Sequence, residues 1–265
     1  MLEIRHLCKA FPAGGLTPKI ALQDVNLTVP TGSFVTIIGS NGAGKSTLLN
    51  AVAGVFPVDR GCVMLNGKDI TFLPEHRRAA FIGRVFQNPL QGTAASMTVE
   101  ENLVMAWRRG ERRGLRRGIT AGLRRQIRDR LSQLGLGLED RLHTAVGFLS
   151  GGQRQALTLL MATMTRPDLL LLDEHVAALD PNTAQQILYL TEKMVAEEGL
   201  TTLMVTHNME HALRMGDTTI MMHEGEIVLN VKGTKRAAMT VHDLLNQFKR
   251  IRGEQLLDDR MLLAD

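Results

Sequence analysis

FVTIIGSNGAGKSTLLNAVAGV, residues 34–55, carries three local patterns in succession. Phe34 to Gly39 is a short apolar, β-branched run closed by a glycine, the pattern of a buried strand. Gly39-Ser40-Asn41-Gly42-Ala43-Gly44-Lys45-Ser46 then fits G-x-x-x-x-G-K-[ST] at every fixed position, with Thr47 following. From Lys45 to Val55 the apolar residues fall at helical spacing. Glycines in such a turn let successive backbone N–H groups face inward around a phosphate. A lysine there brings a point charge to the β and γ phosphates, and a serine hydroxyl can ligate Mg²⁺. A glycine-rich turn can match by chance, but strand before and helix after are the context this motif requires.

The pattern extends outward on both sides. LEIRHL, FPAGGLTP and IALQDVNLTV, within residues 1–30, alternate apolar and polar residues around turn formers and predict an antiparallel β-rich start. CVMLNGKDI (62–70) predicts a hairpin on an Asn-Gly turn, and FIGRVFQ (81–87) a strand. Residues 97–165 read as helical, with arginines and an apolar stripe. DLLLLDE (168–174) and TTLMVTH (201–207) are buried strands separated by an amphipathic helix, NTAQQILYLTEKMVAEEG, that stops at a glycine. TIMMHEGEIVLNV (219–231) predicts a hairpin around Glu-Gly, and TVHDLLNQFKRIRGEQLL a last helix. Buried strands alternating with helices imply an α/β fold with a mostly parallel sheet. The expected organisation is a single domain over 1–250. A helical subdomain, about 90–165, is inserted in its core, and a tail follows at 251–265.

At 265 residues, 44% apolar and 22% charged, the chain has the composition of a globular protein with a large core. Aromatics are only 4%, so aliphatic residues and the 14 methionines must fill that core. No apolar run approaches the roughly 20 residues that span a bilayer. MLEIRHLCKAF lacks a secretory apolar region. Cys8 and Cys62 have no metal-ligand spacing and read as buried thiols in a reducing compartment. Much of the net charge of +4 comes from WRRGERRGLRRGITAGLRRQIRDR (107–130). Such a run fits a solvated helix face, an acidic partner, lipid headgroups or nucleic acid.

Three further features carry chemistry. Asp173 and Glu174 end a run of four leucines. An acid at a strand terminus can hold Mg²⁺, and the next residue can orient or deprotonate water. His207 ends another buried strand, where ligands of open α/β sheets gather. LSGGQRQ (149–155) places two glycines at a helix entrance, where unpaired N–H groups and about half a positive charge attract anions. Ser150 as a simple cap is the alternative, although a cap needs no paired glycines.

GSNGAGKST, LSGGQRQ and LLLLDE, in this order and spacing, resemble the nucleotide-binding subunit of an ATP-binding-cassette (ABC) transporter. The resemblance covers roughly residues 1–250. It implies a P-loop NTPase core with a mostly parallel sheet, an N-terminal antiparallel β subdomain and the inserted helical subdomain. Its cofactors would be ATP and Mg²⁺. Nucleotide contacts would come from Phe11 (stacking on adenine), Gly39, Ser40, Asn41, Gly42, Ala43, Gly44, Lys45, Ser46, Thr47, Gln87 of the Q-loop, Ser150, Gly151, Gly152 and Gln153 of the signature, and Asp180 of the D-loop Ala178-Leu179-Asp180. Ser46, Gln87 and Asp173 would hold the metal, while Glu174, His207, Gln87 and Lys45 would serve catalysis.

The two phosphate-binding ends then imply two copies of the chain, head to tail, with ATP between one copy's loop and the other's signature. The resemblance also implies integral membrane permease subunits, an extracytoplasmic substrate-binding protein, no nucleic acid, and a peripheral place on the cytoplasmic face of the cell (inner) membrane. Import of amino acids or related small solutes is the expected function. An exporter or lipoprotein-release ATPase would share every motif, and a soluble ABC ATPase acting on DNA or ribosomes is a third class.

Two positions depart from the family pattern. Phe11 replaces the usual tyrosine, and His175-Val176 follows the paired acids where most relatives have proline. Histidine is expected to leave that turn freer than proline would. Arg112, Arg113, Arg116 and Arg117 would lie beside the face that docks the permease, which favours permease or lipid phosphate contacts over DNA.

Overall fold

A computed structural model describes residues 1–12, 18–111 and 118–252. Residues 13–17, where turn formers were expected, the four arginines at 112, 113, 116 and 117, and residues 253–265 of the expected tail lie outside the described residues. In chain order the strands are β1 (Leu2–Phe11), β2 (Lys19–Val29), β3 (Phe34–Gly39), β4 (Arg60–Leu65), β5 (Lys68–Asp69), β6 (Ile82–Val85), β7 (Leu169–Asp173), β8 (Thr202–Val205), β9 (Thr218–His223) and β10 (Glu226–Lys232). The helices are α1 (Lys45–Ala53), α2 (Glu75–Arg78), α3 (Val99–Trp107), α4 (Ala121–Ser132), α5 (Gly151–Thr163), α6 (Pro181–Glu198), α7 (Met209–Arg214), α8 (Gly233–Ala237) and α9 (Val241–Arg252). They divide into two compact units, residues 1–78 with 200–265, and residues 79–199.

The first unit holds an antiparallel sheet in the order β2-β1-β4-β5. Asn66 and Gly67 turn between β4 and β5 with φ of 50° and 76°, the left-handed pair that an Asn-Gly hairpin turn requires. Beside it, β3 runs parallel to both β8 and β9, and β10 closes antiparallel on β9 through a turn at Glu224-Gly225. Every residue of β3 and β8 is buried, which explains why their sequences are continuous apolar runs rather than alternating ones. Leu244 and Phe248 of α9 pack with Ile38, Met209 and Met221, so methionine fills part of the space that aromatics would elsewhere. Arg78 is buried beneath α1. Its guanidinium donates to the carbonyls of Ala51 (2.9 Å) and Val52 (2.8 Å), supplying positive charge where that helix ends.

The second unit pairs β6 with β7 in parallel and surrounds them with α3 to α6. The stretch 97–165 is less helical than its pattern predicts. Residues 133–150 form turns and two short 3₁₀ segments, Leu138–Asp140 and Val146–Phe148, because Gly135 and Gly137 adopt φ of 65° and 67° and break the repeat. In α3, Glu100 is buried and paired with Arg124 of α4 through contacts of 2.7 and 3.1 Å. The two cysteines are half-buried rather than fully buried. Both are free thiols, and Cys8 Sγ donates to the His6 carbonyl at 3.7 Å. No helix among the described residues is long and apolar enough to cross a membrane.

Candidate active site

The glycine-rich loop of residues 39–46 sits on the first unit, at the carboxyl end of β3. Gly44 caps α1 with φ 98°, and a Cβ there would lie 2.5 Å from the Ala21 carbonyl oxygen. Gly39 is equally confined, since its Cβ would meet the Met222 carbonyl oxygen at 2.3 Å. Gly42 also has positive φ, 81°, yet a Cβ there meets nothing within 4 Å. Backbone bonds lock the turn from outside: Gly225 N donates to the Ala43 carbonyl (3.1 Å) and Gln23 N to the Gly225 carbonyl (2.9 Å). Lys45 is 6% exposed and folds back, its Nζ donating to the carbonyls of Gly39 (2.6 Å) and Ser40 (3.0 Å). The ammonium is thereby held over the loop by two carbonyl oxygens. Asn41, Gly42 and Ser46 are exposed, Thr47 is half-buried, and Ala43 is buried.

Two further predicted residues lie on this unit. β3 and β8 pair in parallel with Ile37 opposite Val205, so Gly39 and His207 each follow a paired residue by two positions at the same sheet edge. His207 is exposed there, and Asn208 caps α7 immediately after it by accepting from His211 N at 2.9 Å. Phe11 ends β1 and is half-buried, with the Phe56 ring edge-on at 5.1 Å between centroids. Lys9 Nζ lies 5.4 Å from the Phe11 centroid and 5.5 Å from that of Phe56, and is held by Asp59 at 2.8 Å. Asp59 also accepts from Ala10 N at 2.7 Å. These hydrogen bonds, led by that from Lys9, hold its carboxyl below the usual carboxylate range. Sequence reading missed Lys9, Phe56 and Asp59, because they come together around Phe11 only in the folded chain, which spacing does not reveal.

The paired acids sit on the second unit. Val85 of β6 lies opposite Leu172 of β7, which brings Gln87 and Glu174 together two residues further on. Gln87 Nε2 donates to Glu174 Oε2 at 3.2 Å. Asp173 is the last residue of β7 and faces Arg84 at 3.8 Å, a neighbour that spacing gave no way to find. Glu174 does not continue the strand alternation. It adopts φ 44°, a left-handed conformation that non-glycine residues rarely take. His175 is 2% exposed, with Nε2 3.1 Å from Thr191 Oγ1 on α6. The expectation of a freer turn is therefore wrong: a buried imidazole fastened to a helix restrains the chain. Asp180 caps α6 by accepting from Thr183 N at 3.1 Å. Hydrogen bonds from the Thr183 side chain and backbone hold its carboxyl low.

The signature stretch begins α5. Ser150 Oγ accepts from Gln153 N and Gln153 Oε1 accepts from Ser150 N, both at 3.2 Å, forming a reciprocal capping box. Gln153 Nε2 also donates to the Leu136 carbonyl at 3.1 Å. Gly151 is exposed. Gly152 has a structural reason to be glycine that spacing did not suggest: its Cβ would meet the Thr183 methyl of α6 at 2.3 Å. Gly152, though not Gly151, thus serves close packing of α5 on α6.

The ABC transporter family profile matches residues 22–177. The chain is 43% identical over 249 residues to a tyrosine transport ATP-binding protein of Clostridioides difficile, covering 94% of this chain and 99% of that one. It is 36% identical to the methionine import ATP-binding protein MetN of Corynebacterium efficiens, covering 86% of this chain but only 61% of that protein's length. Among solved structures it is similar to the dimeric ATP-binding cassette MJ0796 bound to ADP and Pi, with TM-score 0.76, 29% identity, and coverage of 88% of this chain and 98% of that one. A family match over more than half of the chain and a relative 43% identical along nearly all of it show that the chain belongs to the ABC transporter family as an ATP-binding, ATP-hydrolysing subunit.

Proposed function

We propose that the chain drives import of amino acids or related small solutes, working as a head-to-tail pair on a separate membrane permease. One observation carries this reading: 43% identity along 94% of the chain to a tyrosine transport ATP-binding protein of nearly the same length. Similarity to the methionine import subunit MetN supports the same cargo class. Pairing is supported by the dimeric state of MJ0796 and by the two anion-binding ends on one chain, the phosphate loop and the Ser150 helix entrance. A peripheral position at the cytoplasmic membrane face, and a partner binding protein outside, follow from the transport reading.

In this reading the loop from Gly39 to Thr47 cradles the phosphates, Lys45 neutralises the outer ones, and Phe11 stacks on the base. The signature residues Ser150, Gly151, Gly152 and Gln153 of one copy, with Asp180 of the D-loop, meet the γ-phosphate held by the other. Glu174 orients or deprotonates the attacking water. Gln87, already hydrogen-bonded to Glu174, and His207 respond to the γ-phosphate.

For Mg²⁺ the donors available are suitable. Ser46, Asp173 and Gln87 offer a hydroxyl, a carboxylate and an amide oxygen, all hard oxygen ligands. When bound, such an ion supplies charge neutralisation across the phosphates.

The test is affinity capture of the tagged chain from gently solubilised membranes, with mass spectrometry of what co-purifies. A polytopic membrane protein, and amino-acid uptake that disappears when this chain is deleted, is the expected outcome. Ribosomal or DNA-bound partners alone would overturn the transport reading.

A further inference from the structure

We propose that His175 is a positioning residue for Glu174, acting through its hydrogen bond to Thr191. The inference rests on the reading above in which Glu174 activates water. β7 ends at Asp173, and Glu174 turns away with φ 44°. A backbone in that conformation persists only where its surroundings hold it. The structure supplies two holds. On one side the Glu174 carbonyl accepts from Ala177 N at 3.0 Å. On the other, His175 buries its ring and meets Thr191 Oγ1 at 3.1 Å, and Thr191 itself is fully buried.

The polarity of that contact is fixed. Thr191 Oγ1 donates to the Ile187 carbonyl at 2.8 Å. A hydroxyl has one proton, so towards His175 the oxygen can only accept, and Nε2 must carry the hydrogen. The imidazole is therefore an oriented donor driven into α6, one peptide beyond the proposed base. α6 is a rigid reference: it runs eighteen residues and is capped at both ends, by Asp180 and by Gly199. The bond transfers that rigidity to the peptide joining Glu174 to His175, and so to where the Glu174 carboxylate stands against Gln87. A proline at this position would restrain φ of its own residue. The histidine instead restrains the turn from its side chain.

The experiment compares Thr191→Val with Thr191→Ser in the purified full chain, measuring ATP hydrolysis, nucleotide affinity and melting temperature. Valine keeps the shape and removes the acceptor; serine keeps the acceptor. Displacement of a catalytic group by about 1 Å can cost about 10²-fold. Thr191→Val is expected to lower kcat by about tenfold or more with KM for ATP and nucleotide affinity unchanged, and Thr191→Ser to restore kcat. His175→Met and His175→Gln form a second pair that does not alter α6: methionine is expected to behave as Thr191→Val, and glutamine, which keeps a donor, to retain most of the activity. Combined with Thr191→Val, His175→Met should lower kcat no further, because both remove one bond. Wild-type kcat in Thr191→Val and His175→Met would overturn the proposal, as would equal losses in valine and serine variants. Glu174→Gln in the same assay separates the two readings: full hydrolysis there would remove the role of Glu174 itself, while lost hydrolysis with an unaffected Thr191→Val would remove only that of His175.

Discussion

Gly42 and Gly44 offer a controlled test of how the phosphate loop is built. Both have left-handed φ, 81° and 98°, so alanine at either pays the same backbone penalty of about 1–2 kcal/mol. The surroundings differ. At Gly42 the new methyl meets nothing within 4 Å, whereas at Gly44 it lies 2.5 Å from the Ala21 carbonyl oxygen, 3.3 Å from Leu22 and 3.4 Å from Gly225. Those neighbours are backbone or buried, tied together by the Gln23–Gly225 and Gly225–Ala43 bonds, so they cannot step aside cheaply. Overpacking of this kind adds about 1–3 kcal/mol. The entropy that alanine removes from the unfolded chain is common to both variants and cancels in the difference. Gly44→Ala should therefore be less stable than Gly42→Ala by about 1–3 kcal/mol, a gap of about 2–12 °C in Tm at about 2–4 °C per kcal/mol. Scanning calorimetry of the nucleotide-free proteins reads this directly, and a fluorescent ATP analogue should bind Gly44→Ala more weakly because the first N–H groups of α1 must move. Equal melting temperatures would show that β2 does not press on the loop, and the account of Gly44 would fail.

Replacing Glu174 by Gln should abolish most hydrolysis while leaving ATP binding intact, and gel filtration with ATP should then trap a dimer; a monomer alone would contradict the paired reading. His211 is half-buried, and burial first, with Arg214 next, pushes its imidazole below the ordinary value near 6.5. The unfolded chain then takes up the proton first as pH falls, so this contribution to stability is complete above about pH 6.5 and is lost on descent towards the folded value. Urea midpoints between pH 7.5 and 5.5 should fall less steeply in His211→Gln than in wild type, and parallel slopes would refute the assignment.

How much of this was legible depended on whether a signal was local. The loop 39–47, the Asn66-Gly67 and Glu224-Gly225 hairpins and the buried strands were readable because each is written in a few consecutive residues. The MEHALR helix at Met209–Arg214 was overlooked although Asn208 is a sound cap for it, because six residues are too few to establish a period. The contacts of Lys9 and Phe56 with Phe11, of Asp59 with Lys9, and of Arg84 with Asp173 were invisible, since each joins residues brought close only by the tertiary fold. The freer turn expected at His175 fails for a related reason, helix packing. Its partner Thr191 is sixteen positions away on a helix face, and a histidine in place of proline reads only as a looser turn until that helix is in place.

Register also explains why the site residues recur at one spacing. In the first unit Ile37 pairs with Val205, and in the second Val85 pairs with Leu172; in each case the functional candidates stand two residues beyond the pair, Gly39 with His207 and Gln87 with Glu174. Parallel strands present all their carboxyl ends on one edge, so a fixed offset from a paired residue is a fixed height above the sheet. A shift of one residue in the β6–β7 pair would set Gln87 against a residue other than Glu174. The apolar runs of these strands, buried on both faces, therefore do more than fill a core. Their side-chain packing sets the register, and the register decides that Gln87 meets Glu174 rather than its neighbour. A substitution deep in β6 or β7 that let the pairing slip would damage the site without touching any residue in it.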